Sequence, residues 1–152
     1  MTLNLRLEIP LHPTENFDKV EKCIRNLIGK QENINEEEVE GEQYKLLVVE
    51  NIAKEKLKPF FERIRREKIL DAVRNCAIIK LNPSMVEFLF HKQALYMGVY
   101  AVITEDTSSP LGNVVLQIKT DKPHKFLDWL TPKTIDGKVI VKTEFQEIEN
   151  FS

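Results

Sequence analysis

Cysteine, glycine, histidine and tryptophan are all scarce in this sequence of 152 residues, and each scarcity excludes something. Two cysteines, Cys23 and Cys76, sit in helical patterns beside apolar neighbours, with no CxxC and no Cys/His pairing. They read as buried free thiols rather than a disulfide framework or a metal knuckle. Five glycines, at 29, 41, 98, 112 and 137, are too scattered to write GxGxxG or GxxxxGK[ST], so a phosphate-cradling loop is not expected. Three histidines, His12, His91 and His124, stand far apart, whereas a metal site needs three or four converging ligands. No GxSxG announces an activated nucleophile. Apolar runs are short: from Met1 to Glu8 every one is broken by a polar residue, which predicts neither a signal peptide nor a membrane span and places the protein in the cytoplasm. No enzymatic activity, cofactor or intrinsic metal is expected.

What is present describes a globular chain. Hydrophobic residues make up 42% and charged residues 30%, with net charge −2, so a packed core is expected where a disordered chain would be poorer in apolar residues. At this length one domain, residues 1–152, can bury about 68–70% of its unfolded surface. Leu3, Leu5, Leu7, Ile9 and Leu11 alternate with polar residues and predict a strand over 3–11. Thr14 offers an N-cap for an amphipathic helix over 15–28, ended by Gly29. The glutamate-rich stretch 31–42 reads as a solvated loop around a short edge strand. A central strand is predicted at 44–49. Two helices, or one bent one, are predicted between 54 and 79 after a cap at Asn51, with the break near Glu67.

Strands follow at 86–90, 95–104, 113–120 and 139–145. His91–Ala94 reads as a turn, and the turn Ser108–Gly112 should join 95–104 to 113–120 as a hairpin. A short helix capped by Asp121 carries Phe126, Leu127 and Leu130, and Asp136-Gly137 signals a hairpin. The fold class is α+β: one mainly antiparallel sheet with helices on one face.

Charge is the most informative surface feature. Between residues 54 and 74, eight cations face four carboxylates, a local +4 in a protein that is −2 overall. Cations opposite an apolar helical stripe can track phosphates, which gives a salt-dependent affinity for nucleic acid. Lys58, Arg63, Arg65, Arg66, Lys68 and Arg74 are the candidate RNA contacts, with Lys92 added from the turn after 86–90. The plainer alternative is a solvated helix face with internal pairs such as Glu62 with Arg66. Tyr96 and Tyr100 could form a base-stacking platform on an open sheet face or pack under a helix. Lys92 and Gln93 could equally cap and orient a strand connection.

Several separated motifs, in order, resemble a known family: Glu8-Ile9-Pro10-Leu11-His12-Pro13-Thr14-Glu15, Lys68-Ile69-Leu70-Asp71-Ala72-Val73-Arg74, Lys92-Gln93-Ala94, Ser109-Pro110-Leu111-Gly112 and Asp128-Trp129-Leu130. Together they look like the archaeal uncharacterised protein family 0201, itself similar to archaeal proteins described as RNA-binding exosome subunits. The resemblance spans about 5–132 and leaves 133–152 as an additional C-terminal segment. It implies a fold similar to that of the ribosomal protein that holds 5S rRNA in the large subunit, and a role in RNA binding. It carries over no catalytic residue. His91 departs from the family pattern, which has asparagine before Lys-Gln-Ala, so the polar role of that turn is open. The competing reading is a protein-interaction module or homodimer, since a single open sheet has edges to cover.

Overall fold

A computed structural model describes residues 3–105 and 112–151. The chain opens with β1 (Asn4–Leu11), α1 (Phe17–Ile28), β2 (Asn35–Glu38) and β3 (Lys45–Ile52). A 3-10 turn, Lys54–Leu57, leads into α2 (Lys58–Arg66) and α3 (Leu70–Cys76). Next come β4 (Ile78–Leu81), β5 (Ser84–His91), α4 (Lys92–Tyr96), β6 (Val102–Ile103), β7 (Asn113–Lys119) and α5 (Pro123–Leu130). A small hairpin of β8 (Thr134–Ile135) and β9 (Lys138–Val139) precedes a 3-10 helix, Phe145–Phe151. The main sheet runs β2-β3-β1-β7-β5-β4, with β6 also on β5, and every pairing among the described residues is antiparallel.

Period-two alternation in β1 does what the sequence promises. Leu5, Leu7 and Ile9 are buried and face Leu47 and Val49 on one side and Leu116 and Ile118 on the other. Because side chains alternate across a pleat, these residues share one face with Val86, Phe88 and Phe90 of β5. Val20, Ile24 and Leu27 of α1, Phe60 and Ile64 of α2, and Phe126 and Leu130 of α5 complete one core over that face. The opposite face mixes buried Val48, Met85 and Leu89 with a charged network: Arg6 pairs with Glu8 at 2.8 Å and with Glu50, Lys80 with Glu87 at 2.7 Å, and Gln117 donates to Glu87 at 2.7 Å.

Local signals hold at several ends and fail at others. Gly29 closes α1 at φ 80° and Asp136 and Gly137 both take positive φ, as a two-residue hairpin turn demands. Gly112 (φ 86°) can be nothing larger, because a Cβ there would lie 2.5 Å from Cγ of Pro10. Asn16, not Thr14, caps α1 by accepting from the Asp18 amide at 2.8 Å, and α1 starts at Phe17, which is exposed. Asn51 caps no helix; it sits inside β3 at φ 55°, close to the register shift between Leu5 and Leu7. Lys122 rather than Asp121 precedes α5. Residues 35–38, within the glutamate-rich stretch read first as a loop, form an exposed edge strand.

Two strand expectations are corrected. Residues 95–104 are not a strand: Leu95 belongs to α4 and is buried, whereas Met97 is 68% exposed, and only Val102–Ile103 pair with the sheet. The apolar alternation there spans a helix end and a loop, and five residues are too few for period two to be told from period 3.6. The expected hairpin partner is also different, since β6 and β7 both pair with β5. The turn Ser108–Gly112 lies outside the described residues except for Gly112. Residues 139–145 contribute only Val139 to a strand, because the segment turns away to pack Phe145 against Phe61 and Trp129, ring centroids 5.5 and 5.8 Å apart.

Cys23 is buried in α1 and Cys76 partly buried at the end of α3. Burial pushes the Cys23 thiol up to about 11, against the pull of the nearby Lys92 charge. Its folded value lies above its ordinary 9.0, so the stability it contributes is fully present below pH about 9 and is lost as pH rises toward about 11. The expected result is that Cys23 resists a thiol-specific chromophoric disulfide reagent at pH 7 for as long as the fold persists, and reacts at once in urea. Rapid labelling of Cys23 in the folded protein would contradict this burial.

Candidate nucleic-acid interface

The basic segment divides into two classes once it is folded. Helical periodicity of 3.6 residues puts Arg63 and Arg66 on one side of α2 and turns Arg65 toward Phe61, four residues earlier. Arg63 donates from Nε to Glu67 at 3.1 Å and lies over the Tyr100 ring, 4.7 Å from its centroid. Arg66 is exposed, and Lys58 is exposed beside Glu62 at 3.9 Å. These three, with Lys56, line a cleft of about 580 Å³ whose floor includes Ile28, Gly29 and Tyr100. Glu55 and Glu62 share the wall, so the lining is cationic on balance. None of the glutamates from 32 to 42 lines this cleft.

The other candidates are engaged inside the protein. Arg65 donates to the carbonyls of Phe61 (2.9 Å) and Trp129 (3.0 Å) and to Oγ1 of Thr143 (2.8 Å), and stacks 3.4 Å over Phe61. Burial pulls its pKa down to about 10, partly offset by Glu144. Arg74 binds the carbonyls of Leu127 (3.3 Å) and Thr131 (2.8 Å) and pairs with Asp128 at 2.7 Å, which ties α3 to the end of α5. Lys92 is only 4% exposed, and its ammonium reaches Glu15 Oε1 at 2.6 Å and the Pro10 carbonyl. Lys68 is exposed at φ 57° in the turn after α2, and faces a separate cleft lined by Asp71, Thr134 and Val139. The structure therefore brings Lys58, Arg63 and Arg66 together and leaves Arg65, Lys68, Arg74 and Lys92 apart from them.

Sequence reasoning passed over Lys56 as a contact, although it lies three residues before Pro59 on the approach to α2. It also left Tyr96 and Tyr100 open between two placements. Tyr100 is buried, its hydroxyl donating to the Asn26 carbonyl at 2.7 Å, and burial pushes its phenol up while Arg63 opposes. Tyr96 lies in α4 with the Lys22 ammonium 4.6 Å from its centroid. Neither stands on the open sheet face, where Glu8, Glu37, Glu50 and Glu87 surround Arg6 and Lys80 and offer phosphates little attraction. His91, the departure from the family pattern, has a clear role: its Nδ1 accepts from the Ala94 amide at 3.2 Å and caps α4. Among the described residues, no cluster of three or more His, Cys, Asp or Glu could hold a metal ion, and no helix is long and apolar enough to cross a membrane.

A family model described as RNA binding matches residues 4–120. A UPF0201 protein of Sulfurisphaera tokodaii is 35% identical over 131 residues, covering 86% of this chain and 88% of its own length. Another, of Metallosphaera sedula, is 30% identical over 128 residues, covering 84% and 87%. Among solved structures, a UPF0201 protein from Methanococcus jannaschii superposes with a TM-score of 0.69 at 25% identity, covering 91% of this chain and 99% of that one. A DUF54 protein from Methanothermobacter thermautotrophicus, at 21% identity and TM-score 0.56 over 76% and 82%, is alike in fold alone.

Proposed function

We propose an RNA-binding role from one premise: the chain belongs to the RNA binding family, alongside the archaeal UPF0201 proteins. The observation that carries the proposal beyond family is the convergence of Lys56, Lys58, Arg63 and Arg66 on one cleft beside α2. Ammonium and guanidinium groups at this spacing suit a phosphate backbone, which they hold without reading its bases. Lys68, past the end of α2, faces a separate cleft and is not part of this surface. Arg65, Arg74 and Lys92 take no part, because their donors are occupied within the fold. The role is non-catalytic and cytoplasmic, and the exosome-related setting implied by the resemblance belongs to this proposal.

Phosphate contact of this kind is weak and salt-sensitive. With about three phosphates neutralised on a single strand, log affinity falls by about 2 for each tenfold rise in salt. Fluorescence anisotropy with a short single-stranded and a short double-stranded RNA at about 50 mM salt tests it. Absence of binding to either RNA at protein concentrations on the order of tens of micromolar would refute it, since non-specific binders fall within about 10⁻⁴–10⁻⁶ M even at higher salt.

A further inference from the structure

A second cleft, remote from the chemistry of the first, lies between α5 and the C-terminal segment and has a volume of about 560 Å³. That size is within the roughly 300–1,000 Å³ of clefts that take small molecules. Its wall is aliphatic, with Ile140 and Val141 left 57% and 69% exposed, an arrangement that costs solvation unless something covers it. Lys122, Lys125 and Lys133 stand around it, all exposed, and none is ion-paired among the described residues. Of the two carboxylates in the lining, Asp128 is already neutralised by Arg74 at 2.7 Å, which leaves Glu147 alone against three ammonium groups.

We propose that this cleft binds an aliphatic chain bearing an anionic head group. The chain would lie on Ile140 and Val141 while the head meets the lysines. Aromatic ligands suit it less, because Trp129 is only 3% exposed and its ring is already packed on Phe61 at 4.9 Å, so no free aromatic face is offered for stacking. A nucleobase is therefore not the fitting occupant, and the inference stands independently of RNA binding at α2. It lies in the region beyond residues 4–120 that the family model matches.

Trp129 is the single tryptophan and lines the cleft, so its emission reports occupancy. The full chain is titrated with decanoate, decyl phosphate, decyltrimethylammonium and decyl maltoside, each below its micelle threshold. A saturable change with the two anions, and about tenfold or weaker affinity for the other two, is the expected result. Whichever anion binds more tightly distinguishes a carboxylate from a phosphate ligand, and either order supports the proposal. In the triple variant Lys122→Glu, Lys125→Glu, Lys133→Glu, anion affinity falls by about tenfold or more with the urea midpoint unchanged, since all three side chains are exposed. The variant Ile140→Asn, Val141→Asn weakens both anions equally. Equal response to every head group, an unaffected lysine variant, no saturable change, or displacement of decanoate by short single-stranded RNA would each overturn the assignment.

Discussion

Replacing Lys92 with methionine is expected to destabilise the protein by about 3–5 kcal/mol, the usual cost of removing one partner from a buried ion pair. Its side chain is 4% exposed, and the ammonium holds Glu15, whose side chain is 13% exposed, at 2.6 Å, together with the Pro10 carbonyl. Methionine fills a similar volume, so packing loss is small, but the Glu15 carboxylate loses its cation and is left with the His12 amide, which donates to it at 2.9 Å. The pair joins the end of β1 and the approach to α1 with α4, so the loss is global and appears as a lower urea midpoint at unchanged slope. The double variant Lys92→Met, Glu15→Gln removes the stranded charge and recovers about half the loss or more. Affinity for RNA, measured on the folded protein, should not change in either variant. A midpoint shift worth less than about 1 kcal/mol would show that the ion pair is not the anchor described here.

The second large effect separates two neighbours that look alike in sequence. Arg65→Gln should cost about 2–3 kcal/mol, because a charged donor serving the carbonyls of Phe61 and Trp129 and the Thr143 hydroxyl is lost, while relief from burying the guanidinium returns part of the cost. Arg66→Gln, one residue on and exposed, should stay within about ±0.5 kcal/mol. Lysine at 65 should not rescue, since a single ammonium cannot reproduce the planar fork that spans these acceptors. The loss is read as faster amide exchange over 140–151, where the Trp129 indole donates to the Glu144 carbonyl at 2.9 Å and Ile148 is buried. Equal behaviour of the two variants would remove Arg65 from its place as the tie on the C-terminal segment.

That contrast shows which parts of the molecule were legible beforehand. β1 was, because Leu5, Leu7 and Ile9 bury one parity and a one-residue slip would expose them all. The Asp136-Gly137 turn was, because two consecutive positive φ angles admit few residue pairs. The break between α2 and α3 was visible as a phase jump, and Lys68 at φ 57° is where it occurs. Residues 95–104 were not, because the distinction between helix and strand there rests on His91 acting as a cap, a role asparagine would more readily announce. The charges were only partly legible. A count of cations treats Arg63, Arg65 and Arg66 alike, yet helical periodicity already sets Arg65 on the side of Phe61; applying it would have removed Arg65 from the surface. Nothing local could have shown that Lys92 lies against Glu15, seventy-seven residues away in the chain.

The central claim is that RNA is held by the cleft beside α2 and not by the basic segment at large. Its most direct test is the salt dependence of RNA anisotropy in the variant Lys58→Gln, Arg63→Gln, Arg66→Gln, set beside wild type and beside Lys122→Gln, Lys125→Gln, Lys133→Gln as a charge-matched control. The account predicts a wild-type slope near −2 in log affinity per log salt, flattened toward zero in the cleft variant and retained in the control. An unchanged slope in the cleft variant, or equal flattening in both, would contradict it.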